Sequence, residues 1–337
     1  MHNQAIKRIY DLGFTWDTQD PFLFCVYHED FYPKGNDKLG PLVSLDGRKI
    51  GNDFSIKNGF RMYHGRTIPG FPAHPHRGFE TITIVLKGIV DHADSNGGAG
   101  RYGNGDVQWM TAGKGLQHSE MFPLLKKDEE NPLELFQIWI NLPKKDKFAT
   151  PHFKMLWSED QAKEEFIDAN GKKTYIEVVA GKINKKTAKP TPNSWAANPA
   201  NKVLVWNIKM EANSTFEIPI TTENVIRNLY FYKGEKISIA EKEIGSYQGI
   251  ELNSNVKTVI KNGNKDSSLL LLQGKPINEP IVQHGPFVMN TQDEIRQAMI
   301  DYQNTHFGGW PWDRTDKHHG PTKGRFAQYS DGGIEER

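Results

Sequence analysis

Short apolar runs separated by Gly, Asn, Asp and Pro dominate the chain. "TITIVLKG", "GDVQWMTAG", "ELFQIWINL", "TYIEVVAG", "KVLVWNIKM" and "SSLLLLQG" are examples, rich in β-branched and aromatic residues. Runs of this length with frequent turn signals predict an all-β protein of sandwich or barrel type. Helical periodicity is convincing only in "NTQDEIRQAMIDYQ" (290–303). There Thr291 or Asn290 can cap, Asp293 and Glu294 fall in the first turn, and Ile295, Met299 and Ile300 share a face. A shorter helix is expected over "SEDQAKEEFI" (158–167).

The stretches "LPKKDKFATPHFK" and "KTAKPTPNSWAANPAN" are rich in Pro, Lys and Asn and weakly periodic, so they mark a break between two strand clusters. The expected organisation is an N-terminal extension at 1–54 packing on the barrels, a β domain at 55–145, a linker at 146–171, a second β domain at 172–280, and a helix with a wrapping tail at 281–337. Trp310, Trp312 and Phe326 suggest that this tail packs on something.

The segment "AHPHRGFETITIVLKG" (73–88) alternates almost perfectly. Read as one strand, its even positions are His74, His76, Gly78, Glu80, Ile82, Ile84 and Leu86. That face is chelating at one end and aliphatic at the other, as in a barrel strand whose mouth holds a metal. Imidazoles at i and i+2 of a strand can reach one ion. A second pair follows in "GNGDVQWMTAGKGLQHSEMF" (103–122), where Leu116, His118 and Glu120 share a face after a Gly113-Lys114-Gly115 turn. Three imidazoles and a carboxylate suit a divalent first-row metal, with Fe(II), Mn(II) and Ni(II) all chemically suitable and Cu or Zn open as well. Glu80, on the same face as the His pair, is expected either as a fifth ligand or as an acceptor that orients an imidazole, the second being preferred. Arg77 faces away and is expected in a salt bridge.

Composition narrows the classes. Among 337 residues, Lys+Arg is 42 and Asp+Glu is 41, a net charge of +1 that provides no global field for nucleic acid or anionic membrane. Lysine clusters at 144–147 and 182–186 read as solvated loops. Cys25 is the single cysteine, so no internal disulfide forms; its apolar flanks predict a buried core residue in a reducing compartment. No apolar h-region opens the chain and no run approaches the ~18 residues of a membrane span. Cytoplasm, or nucleus in a eukaryote, is the expected location, and a monomer the expected state. There is no P-loop and no G-x-S-x-G elbow, and "GGAGRYGNGDV" reads as a loop beside the barrel mouth. Between 172 and 280 there is no histidine, so the second domain lacks a His-x-His site. His284, His318 and His319 have no strand-paired partners and are not expected as ligands.

The paired motifs resemble the cupin superfamily, and the strings "HPHRGFETIT", "GDVQWMTAGKGLQHSEM" and "GPFVMNTQDEI" resemble the pirin family within it. The likeness covers nearly the whole chain, including the tail string "HFGGWPWDR". It implies two cupin β-sandwich domains, a bicupin, with metal, usually iron, only in the N-terminal one. The matching ligand positions are His74, His76, His118 and Glu120; the resemblance gives Glu80 no ligand role. It also implies flavonol 2,3-dioxygenase activity of the quercetin type, with a small chelating substrate and O2, and Glu120 or Glu80 as the base that takes the substrate hydroxyl proton. The alternative it implies is an iron-dependent redox-sensing regulator that binds a protein partner, as animal pirins are described as transcription cofactors. Direct nucleic-acid or membrane binding is not expected in either case.

Overall fold

A computed structural model describes residues 4–337; residues 1–3 of the expected N-terminal extension lie outside the described residues. The chain divides into two compact units, one of residues 1–25 and 159–278, the other of residues 26–158 and 279–337. Residues 26–54 thus belong to the unit that carries the His pairs.

In the first unit, a seven-stranded sheet runs in the order Ile6–Asp11, Gln248–Asn253, Ile226–Lys233, Ser267–Gly274, Leu204–Met210, Lys173–Ala180, Ala162–Ile167. A second sheet orders Thr215–Ile218, Thr258–Asn262, Lys236–Ile239 and Lys242–Gly245. Alternating positions such as Leu229, Phe231, Leu269, Leu271, Ile237 and Ile260 fill the core between them. The helix expected over 158–167 is instead the edge strand Ala162–Ile167, which pairs antiparallel with Lys173–Ala180. Its alternating half-buried and exposed positions show that period 2 prevailed over local helix propensity.

In the second unit, one sheet runs Ile334–Glu336, Phe326–Gln328, Ala99–Gly103, Ile89–Asp94, Leu116–Met121, Gly70–His76. The other includes, in order, His152–Leu156, Val107–Thr111, Phe79–Lys87, Asn131–Asn141 and, from residue 26 onward, the strand Phe22–Tyr32. Val85, Met110 and Leu135 from the second meet Val90, Tyr102 and Leu116 from the first in one apolar cluster. The glycine-rich "GGAGRYGNGDV" is not a loop: Ala99–Gly103 is a strand that pairs with both Ile89–Asp94 and Phe326–Gln328.

The expected helix is Gln292–Thr305, the only α-helix among the described residues. Thr291 caps it in a reciprocal capping box with Glu294, satisfying two otherwise orphaned amides. Its buried positions are Ile295 and Ala298, whereas Met299 and Ile300 are exposed, so the apolar face is narrower than the sequence suggested. Cys25 is fully buried. No helix among the described residues is long and apolar enough to cross a membrane.

Candidate metal centre

Residues 73–88 are not one strand. The chain turns at Gly78 (φ +88°), between Gly70–His76 in one sheet and Phe79–Lys87 in the other. A Cβ at Gly78 would sit 2.0 Å from the Val288 carbonyl oxygen, so only glycine fits this close turn. The turn resets the alternation. Thr83 now points at Glu120, and Glu80, three residues earlier on the same strand, points from the opposite face. The expected shared face of Glu80 with the His pair therefore does not form; Glu80 Oε1 instead accepts a hydrogen bond from the Thr111 hydroxyl at 2.6 Å.

The His pairs themselves converge. Gly70–His76 and Leu116–Met121 are antiparallel neighbours, with His74 directly opposite His118 and a bulge between Phe71 and His74. Ring centroids lie 4.5 Å apart for His74 and His118, 4.9 Å for His76 and His118, and 4.8 Å for His74 and His76. One ligand atom from each histidine lies within 4.8 Å of the others. An ion at roughly 2.1 Å from each nitrogen brings them to about 3.0–3.4 Å of one another, so the three imidazoles need a small inward shift to share one ion.

The ring nitrogens test the fit. Neither nitrogen of His118 or His76 has a partner in hydrogen-bond geometry, although both residues are buried. His74 commits Nδ1 to the Pro72 carbonyl oxygen at 2.9 Å, which leaves Nε2 for another role. A buried, unpaired imidazole costs free energy unless something accepts its lone pair. Burial holds all three in the neutral, metal-competent form. His74 is pushed down to about 4, the Pro72 carbonyl opposing. His76 and His118 lie well below the usual range, by burial first and by neighbouring imidazoles second. The donor set thus fits a divalent metal.

Glu120 lies beside this group, with Oε2 3.7 Å from His118 Nε2. Its oxygens are held by Thr83 Oγ1 at 3.0 Å and Gln137 Nε2 at 2.8 Å, and Thr83 Oγ1 also meets Gln137 Oε1 at 2.6 Å. One hydroxyl proton cannot serve both of Thr83's contacts. With either orientation of the Gln137 amide, this triangle closes only when Glu120 also carries a proton. Burial, the largest influence, raises the Glu120 carboxyl above its ordinary range in the same direction.

The sequence reading missed His92, which faces Glu120 across the Ile89–Asp94 and Leu116–Met121 pairing. It is fully buried, 5.5 Å from His118 between centroids, and bonded to Asp94 through Nε2 at 3.2 Å. Thr83, Gln137 and the ring pair Phe79–Trp139 were missed as well. Both rings stand edge-on to His76, at 5.1 and 5.3 Å. Only the alternation in "VDHAD" pointed to His92, and that cue carries no register. Arg77 makes its expected salt bridge, to Asp301 at 2.6 Å, and donates to the Lys114 carbonyl oxygen.

Two double-sheet units, one of them lined by convergent histidines, define a bicupin with a single candidate metal centre among the described residues. The family model described as pirin matches residues 17–140, and that of the pirin C-terminal cupin domain matches residues 205–308. The chain belongs to the pirin family. A pirin-like protein of Caulobacter vibrioides is 35% identical over 240 residues, covering 71% of this chain and 80% of the relative. Pirin of Homo sapiens is 32% identical over 257 residues, covering 74% and 81%. The solved structure of a quercetin 2,3-dioxygenase from Acinetobacter baumannii superposes with a TM-score of 0.68 at 25% identity, covering 91% of this chain and 96% of that one.

Proposed function

We propose that the protein is a non-haem iron oxygenase of the quercetin 2,3-dioxygenase type, with His74, His76, His118 and Glu120 as metal ligands. The observation that carries this reading is the convergence of three neutral imidazoles, two buried and that of His74 half-buried, beside a buried carboxyl. The similarity to a structure named quercetin 2,3-dioxygenase supports the reaction class. Bound there, iron supplies Lewis-acid and redox chemistry toward O2 and a chelating 3-hydroxy-4-keto substrate. The chain's own residues bind, orient and exclude water. Phe79 and Trp139 beside His76, and Phe71 with its ring 6.2 Å from His74, provide flat apolar walls for an aromatic ligand. Glu120 is the group that holds or takes a proton at its carboxylate oxygens, with Thr83 and Gln137 fixing its position. Glu80, turned to the other face of its strand, is left out of this proposal.

The test is O2 uptake together with loss of flavonol absorbance on anaerobically iron-loaded protein. Turnover that disappears with metal removal and in His76→Ala is expected. Absence of turnover with iron, manganese, nickel and copper alike would overturn the oxygenase reading. It would leave the regulatory one, for which iron(II)- and iron(III)-loaded protein should capture different partner sets. A cytoplasmic setting is part of the proposal, supported by the lone buried thiol of Cys25.

A further inference from the structure

The tail beyond the helix crosses the outer side of the histidine-bearing sheet, and its hydrogen bonds fall beside the proposed ligands. The backbone amide of Ala73, next to His74, donates to the Thr315 carbonyl oxygen at 2.8 Å. The side-chain amide of Gln117, next to His118, donates to the carbonyl oxygens of His306 and Gly309 at 2.7 and 3.0 Å. On the adjoining strand, the Trp312 indole donates to the Asp94 carbonyl oxygen at 2.8 Å, and His319 Nε2 bonds the His92 carbonyl oxygen at 2.9 Å. Asp94 and His92 stand opposite His118 and Glu120 in register. A buried ion pair anchors the far end: Arg101 chelates Asp91 at 2.6 and 2.7 Å and donates to the carbonyl oxygens of Gly320 and Lys323.

The position of the first contact matters most. Gly70–His76 is the edge strand of its sheet, and its pairing is broken by the bulge between Phe71 and His74. An edge strand with a bulge has the fewest ladder bonds to hold it, just where two ligands must be aimed. Thr315 supplies the missing partner at Ala73. The second family model ends at residue 308, so most of this segment runs past the matched region.

We propose that residues 306–323 are a positioning strap for the metal-binding histidines, whose docking is coupled to metal occupancy. The strap touches no ligand side chain in this proposal; it holds the backbone on either side of the imidazoles in the geometry that the ion selects. Coupling of this kind is reciprocal: metal tightens the strap, and loosening the strap weakens the metal. The inference rests on the metal reading of the three histidines and is independent of the oxygenase chemistry.

Nickel(II) alone, titrated into the full-length chain, is the probe. Exchange of backbone amides in 306–323 should slow at least tenfold on nickel binding. Trp312→Ala should weaken nickel about tenfold or more, in the range found for groups that orient metal ligands. Trp312→Phe, which keeps the ring and removes only the indole N–H, should weaken it less, with a shifted visible spectrum in the cobalt(II)-substituted protein. Should Trp312→Ala fail to fold, Trp312→Phe carries the test. Unchanged nickel affinity in a folded variant, or tail exchange indifferent to nickel in the wild-type chain, overturns the strap. A wild-type chain that binds neither nickel nor iron overturns the metal reading beneath it, and that result is distinct from the other two.

Discussion

The two units are built on one plan, yet their interiors differ. The unit of residues 1–25 and 159–278 packs Ile, Leu, Val, Phe and Trp side chains between its sheets, with Leu269, Leu271, Ile250 and Ile260 fully buried. The other unit gives part of the same space to His74, His76, His92, His118, Glu120, Thr83 and Gln137. Architecture therefore does not make the site. A double-sheet fold accepts either filling, and the difference lies in what each costs. Apolar side chains stabilise by burial, whereas the unpaired imidazoles of His76 and His118 destabilise until a ligand satisfies them.

The sharpest way to break this contrast is His118→Ala. It should abolish metal binding, read by metal analysis of purified protein, while costing the metal-free fold much less than an apolar truncation, because the cavity it leaves is offset by removal of an unsatisfied buried group. A large loss of stability with retained metal would mean that the two interiors do the same job. Next in size is Leu271→Ala in the other unit. It should cost about 2–5 kcal/mol of stability by leaving a cavity, seen in urea unfolding, without altering metal stoichiometry. Thr83→Val and Gln137→Leu should each weaken metal roughly 10–100-fold by freeing Glu120 from its holders, measured by competition with a chelating dye. The smallest effect is a limb in the pH dependence of metal-free protein. The His74 pKa falls from 6.5 to about 4 on folding, so the unfolded chain binds more protons between those values. Stability is therefore full above pH 6.5 and declines as pH falls toward 4. Denaturant unfolding in that window should show the decline in wild-type protein and a shallower one in His74→Gln. Equal slopes would remove His74 from the contrast.

Much of the site was legible because side-chain alternation is local. His74 with His76, and His118 with Glu120, were each placed on one face by counting, and those pairs do converge. Counting failed at Gly78. A glycine inside an alternating run looks the same whether the strand continues or crosses to the other sheet, and here the crossing sent Glu80 to the opposite face. The same limit hid His92. Its partnership with Glu120 exists only through register between strands far apart in the chain. In Ala162–Ile167, the acidic and lysine content favoured a helix, and pairing with Lys173–Ala180 overrode it.

The sequence by itself determined the all-β class, the capped helix, the two His-bearing motifs and the histidine-free second domain, since each follows from residue type, spacing or alternation within one segment. Only the tertiary structure decided which faces meet. It brought His74 against His118, set Thr83 and Gln137 on Glu120, and laid the tail across the outer side of the histidine strands. Those outcomes depend on register and sheet order, which are free energies of long-range pairing and leave no mark in any single stretch of chain.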